Sequence, residues 1–594
     1  MAILPQGQFS SAQVAAIAGI APVQPPRGAS WLSQVGSGFD IYAKGFVVTP
    51  THFYDPTASS SLCYGTFAQP YNTPAQLMTV FAGDCRKKKL GIKRGTTSRM
   101  TAPLTITGYG TADDPFYIVP YGDASALPIW TTDVVTARTD WSVEDGAHPT
   151  LYSLGANQTP SGNESEVWDY SSGVGVRYWK RTSKAALETA HASNPTFGFA
   201  YWDGGDLWII PANSSSLDHL EITRSDGADG TDVGIKFTGS GGIVLAGQHV
   251  RTTTGAAGMW QPSGNGDFFQ RVGCWMEETG IDDGVGTAGG SSAAMSYAGG
   301  VSGSTNRLTN IYDAGNYARE TMNNSVECTR TDKVLIEYNY GLEIGGKSIV
   351  ELYAANTNTI IRYCKGLGAQ LTKMSLQTQT SVFASWGVWQ SGFAEDESTA
   401  SAALNHDNLV HDCIIDGVDR GVSVGCGGLN IQNNTIVAGY LNSGNSGAGI
   451  TAGYTAVWTG DISDNYLYAR AGSLTLSIDI ASNATWSGDY NFFSGEGFSS
   501  TNTLFIAAPK KSDGTQQYYS NLTGYKSDQN VVTARDQNSL TGAHYALAPT
   551  VIPVQLTAST YAPVGSTLNG GSAISGRTRD FYGKAASTKI GAVS

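Results

Sequence analysis

Five short segments of this chain recur with a spacing that few folds accept. Each opens on Ile or Val, passes through two variable positions and closes on Asn or Cys. They are Ile336-Glu337-Tyr338-Asn339, Ile361-Arg362-Tyr363-Cys364, Val410-His411-Asp412-Cys413, Ile431-Gln432-Asn433-Asn434 and Ile462-Ser463-Asp464-Asn465. Successive copies start 25, 49, 21 and 31 residues apart. Self-similarity at such periods marks stacked coils, each one unable to bury its apolar face alone. The long second step spans about two ordinary coils, which predicts a hidden coil or one that carries a long loop.

Three short strands per turn fit this period. Each Ile or Val then points inward and stacks on its equivalents, while the next residue along the chain faces out. That arrangement predicts an outer row of Glu337, Arg362, His411, Gln432 and Ser463, with Glu337 and Arg362 as exposed neighbours. Asn339, Asn434 and Asn465 fall at corners, where Asn tolerates a left-handed backbone and can bond to its copies above and below. Cys364 and Cys413 share that column. Ile235 to Phe237 and Ile243 to Leu245 are expected to begin the coils, with Gly241-Gly242 at a turn.

Bulk properties agree with this reading. At 594 residues the chain exceeds one compact core, a limit that a solenoid escapes by growing in one dimension. With 73 Gly, 29 Tyr and only 14% charged residues, it suits strands joined by tight turns better than helix bundles. A net charge of −13 argues against a nucleic-acid partner, whose phosphates need a basic footprint. The seven cysteines are odd in number and widely spaced with no C-x-x-C, so they read as small buried side chains rather than disulfides or a zinc site. Residues 1–7 lack a basic stretch and Val14 to Ala21 is broken by Gly19, so no secretory leader is expected. No apolar run approaches a membrane span.

Further segments carry a resemblance. Gly65-Thr66, Gly83-Asp84, Lys93-Arg94-Gly95-Thr96, Gly108-Tyr109-Gly110-Thr111 and Asp114-Pro115 follow one another near the start. Phe199-Ala200-Tyr201-Trp202-Asp203 and Leu207-Trp208-Ile209 come later, Asp489-Tyr490-Asn491-Phe492-Phe493 follows the last repeat, and Arg579-Asp580-Phe581-Tyr582-Gly583-Lys584 lies near the end. This succession resembles pectate-lyase-like right-handed parallel β-helix proteins, most of all phage tailspike depolymerases. The resemblance implies an all-β chain: a short head (1–35), an opening section (36–135), a lateral β region (136–220), the parallel β-helix (221–495) and a C-terminal β cap (496–594). It also implies a bacterial capsule or O-antigen as substrate, a homotrimer, and a place in a virion tail or outside the cell. A secreted lyase or hydrolase, or a glycan-binding adhesin that cuts nothing, are the alternatives.

Chemistry has no sharp motif, and H-E-x-x-H is missing. Carboxylates instead concentrate between residues 275 and 400, and glycoside hydrolysis needs two of them. Asp282, Asp283, Glu320, Glu337 and Glu351 are taken as catalytic candidates from a pool that includes Glu277, Asp313 and Glu327. Asp282-Asp283-Gly284 opens a Gly/Ser-rich stretch that could wall a groove, although a plain turn also explains it. Arg319 and Arg362 could bind substrate, and Trp275, Trp386 and Trp389 could stack on sugar rings. A lyase would instead draw its base from Lys347, Arg362, Lys365 or His411. No metal site is expected from spacing, with calcium entering only if the reaction is elimination.

Overall fold

The computed structural model describes residues 48–541, apart from intervening segments of which 155–166, 224–233, 280–292, 368–385, 391–404, 496–505 and 530–539 are the longest. Within these bounds the chain is a right-handed parallel β-helix. Three sheets of twelve strands run its length, and each coil gives one strand to each. One coil illustrates the order: Leu308–Ala314 in the first sheet, Tyr317–Arg319 in the second, Val326–Thr329 in the third, then Thr331–Glu337 back in the first. The core is a continuous apolar column drawn from all three, including Ile336, Ile361, Val410, Ile431 and Ile462. The step from residue 361 to 410 hides no coil. Arg362 pairs directly with His411, so one coil carries the extra chain on either side of Trp386–Gln390.

The predicted outer row is the observed register: Glu337 with Arg362, Arg362 with His411, His411 with Gln432, and Gln432 with Ser463. At the corner between first and second sheets, two residues turn the chain. The first of them is left-handed, as at Tyr338, Tyr363, Asp412, Asn433 and Asp464. The expectation that the ladder Asn itself takes this backbone is therefore corrected by one position. Its real task is to point inward and satisfy the amides of the turn. Oδ1 of Asn434 accepts from the Cys413 N–H at 3.0 Å, that of Asn465 from Asn434, and that of Asn491 from Asn465. Buried turns need such partners, because an unpaired amide there costs ~1–3 kcal/mol. Cys274, Cys364 and Cys413 occupy the same column as buried free thiols.

At the first coils, helix α1 (Pro74–Val80) starts at a Thr73 capping box and sends Leu77 into the core, with Phe81 just after it. It thereby covers an end that would otherwise expose apolar surface. Between Ile129–Thr131 and Ile235–Phe237 the chain leaves the solenoid. It forms a four-stranded and a five-stranded sheet with their own apolar clusters and helix α2 (Lys184–Ser193). The aromatic segments around Phe199 and Leu207 form an antiparallel hairpin there, outside the stack of coils. Among the described residues no helix is long and apolar enough to cross a membrane.

Candidate active site

Period-two alternation decides which side chains of the third sheet face outward. Met295, Val326, Val350, Val422 and Ile450 belong to the core, as do Tyr297, Cys328 and Leu352. The residues between them therefore fall on the outer face. Register lines these up as Trp260, Ser296, Glu327, Glu351, Trp389, Ser423 and Thr451, one per coil. Two carboxylates thus stand directly opposite one another on adjacent coils, in a row bounded by tryptophan positions on both sides. Like charges paired this way destabilise a sheet.

Asn324 is what holds them. Its Nδ2 donates to Glu327 Oε2 at 3.4 Å and also to Glu351 Oε2. Its Oδ1 accepts from both the backbone N–H of Ser348 at 3.1 Å and the Ser348 hydroxyl at 2.8 Å, which fixes the orientation of the amide. Thr329 Oγ1 reaches Glu327 Oε1 at 3.4 Å. Asn324 and Glu351 are buried and Glu327 is half-buried.

The remaining expected site residues are dispersed. Glu337 and Arg362 lie on the first sheet, where Arg362 Nε donates to Glu337 Oε2 at 2.8 Å and the Tyr312 hydroxyl donates to Oε1 at 2.9 Å. This pair is not the exposed one expected, since Glu337 is 1% accessible. Trp275 and Arg319 lie on the second sheet. Trp275 sits in an aromatic row between His249 and Tyr317, while Arg319 donates to the Gly175 carbonyl at 2.9 Å and approaches Glu277 at 3.7 Å. Trp386 stands opposite Ser348 in register, three positions from Trp389. Asp282, Asp283 and Glu320, with Lys347, lie outside the described residues. The structure thus unites Glu351 with the Trp389 position, and adds Glu327, Asn324 and Trp260. Only the repeated Val326-Glu327-Cys328 and Val350-Glu351-Leu352 could have signalled the pair in sequence.

No protein-family model and no curated protein matches the chain. Among solved structures, a xylose complex of XylC is 11% identical over 83% of this chain and 82% of its own, with a TM-score of 0.49. A GH136 lacto-N-biosidase from Eubacterium ramulus is 10% identical over 83% of this chain and 68% of its own, with a TM-score of 0.42. An alginate lyase from Paenibacillus sp. is 9% identical over 70% of this chain and 95% of its own, with a TM-score of 0.37.

Two charged clusters lie on the second sheet, away from the carboxylate pair. Glu277 accepts from His249 Nε2 at 3.1 Å, with Arg319 and Arg251 nearby. Burial alone would raise its pKa, but the His249 hydrogen bond and the flanking cations outweigh it and leave the carboxyl below its ordinary range. Arg251 in turn bonds both oxygens of Glu221 at 2.9 and 2.8 Å, which ties the lateral sheets to the solenoid. Lys365 is 3% accessible with its ammonium 4.8 Å from the Tyr340 ring. Burial pushes its pKa well below the usual lysine value, and Asp416 only partly offsets this. Among the described residues no three His, Cys, Asp or Glu gather to hold a metal ion.

Proposed function

We propose that this chain is a polysaccharide-cleaving glycoside hydrolase working at Glu327 and Glu351 on the outer face of the third sheet. The observation that carries the reading is the in-register carboxylate pair bridged by Asn324. Hydrolysis of a glycosidic bond asks for a proton donor and a second carboxylate flanking the scissile bond. Ser296, Ser423 and Thr451 add hydroxyls to the same row. The mechanism needs no cofactor.

The substrate we favour is a bacterial capsule or O-antigen, and the setting a trimeric phage tailspike. Support for these comes from the sequence resemblance near both ends of the chain. Sedimentation would test the trimer. The experiment for the reaction is incubation with a panel of capsules and O-antigens, reading new reducing ends beside the ultraviolet absorbance of an unsaturated uronate. New reducing ends without absorbance are expected. Both signals together would overturn hydrolysis in favour of elimination, for which buried Lys365 offers a base. Silence on glycans that demonstrably bind would leave an adhesin.

A further inference from the structure

Resting on that reading of the site, we propose that Asn324 is a positioning residue that holds Glu327 and Glu351 at the spacing of a double-displacement enzyme. Cleavage would then retain the configuration of the anomeric carbon. One amide nitrogen serves one oxygen of each carboxylate. Two hydrogen bonds laid end to end span at most about 6–6.5 Å. Adjacent coils, ~4.8 Å apart, impose the same limit on the backbone. Inverting enzymes keep their carboxyls ~6.5–9.5 Å apart to admit a water, whereas retaining ones hold them at ~5–5.5 Å. The bridge fits the shorter class, and Ser348 keeps the amide from turning its oxygen toward the pair.

In the first step an oxygen of one carboxylate bonds to the anomeric carbon as the glycosidic C–O bond breaks. The released electron pair stays on the leaving oxygen, which takes the proton of the other carboxyl. Water then attacks the glycosyl ester, gives its proton to that second group, and the first leaves as carboxylate.

The test uses whichever capsule or O-antigen first yields new reducing ends with the full chain. Proton magnetic resonance of the earliest product should show the retained anomer before mutarotation sets in. Azide should restore turnover in one of Glu327→Ala and Glu351→Ala with a glycosyl azide of inverted configuration, which marks the nucleophile, and give a retained one in the other, which marks the proton donor. Asn324→Ala should lower kcat by about 10²-fold with KM little changed, the size expected for a misplacement of about 1 Å. Ser348→Ala should lie between that variant and the parent. An inverted first product, or Asn324→Ala at parental kcat, overturns the inference and leaves the hydrolase standing. Full activity in either Glu327→Gln or Glu351→Gln would remove the reading of the site itself.

Discussion

Replacing Asp313 by leucine exposes how much this core depends on one buried charge. Asp313 stands in the inward column of the first sheet, in register with Arg271 on one side and Ile336 on the other. It is wholly buried. Its carboxylate accepts from Arg271 Nε and Nη2 at 2.7 and 3.0 Å, from the Tyr297 hydroxyl at 2.6 Å, and from the side-chain amides of Asn316 and Asn339 at 2.8 and 2.5 Å. Removing one partner of a buried ion pair costs ~3–5 kcal/mol, because the other charge is left without compensation. Stranded neutral donors add ~1 kcal/mol each. Asp313→Leu should therefore destabilise by roughly 6–8 kcal/mol. Arg271→Leu with Asp313→Leu removes both charges and should cost only about 1–3 kcal/mol, the remainder belonging to Tyr297 and the amides. Urea unfolding followed by tryptophan fluorescence, with midpoints compared at unchanged slope, measures both. The reasoning fails if the single variant costs under ~1 kcal/mol, or if the double variant is as unstable as the single.

Two pH dependences follow from the second sheet. Glu277 has its folded pKa lowered from 4.5, so its stabilisation is present above that value and fades as pH falls through the folded pKa. Glu277→Gln should therefore flatten the acid limb of a stability-against-pH curve below about pH 4.5, and an unchanged limb would contradict the assignment. Lys365 has its folded pKa well below 10.5, so between the two values the unfolded chain holds a proton that the folded chain lacks, and stability climbs with pH. Lys365→Met should remove that climb and raise stability at neutral pH; a variant less stable than the parent at neutral pH would contradict it.

Much of the fold was legible because a solenoid repeats its physics. The Ile column needs only a period, and once it is assigned the outer row of Glu337, Arg362, His411, Gln432 and Ser463 follows by alternation. The corner ladder was legible for the same reason, apart from the position of the left-handed residue, which Tyr, Asp and Asn all occupy. The coil between residues 361 and 410 was not, because inserted chain breaks a period without breaking register. The site was harder still. Glu351 and Trp389 are 38 positions apart in sequence, yet neighbours in register. Asn324, in the connection before Val326–Thr329, looks from its neighbours like an ordinary loop residue. Likewise Glu337 and Arg362 read as a surface pair because sequence reports which side of a strand a residue takes, not what lies over it.

The most direct measurement is cleavage and binding of one bacterial surface polysaccharide by the parent chain, Glu327→Gln and Glu351→Gln side by side. The account predicts reducing ends from the parent, binding by all three, and cleavage at least about 10³-fold slower in both variants. Parental cleavage rates in either variant would contradict it.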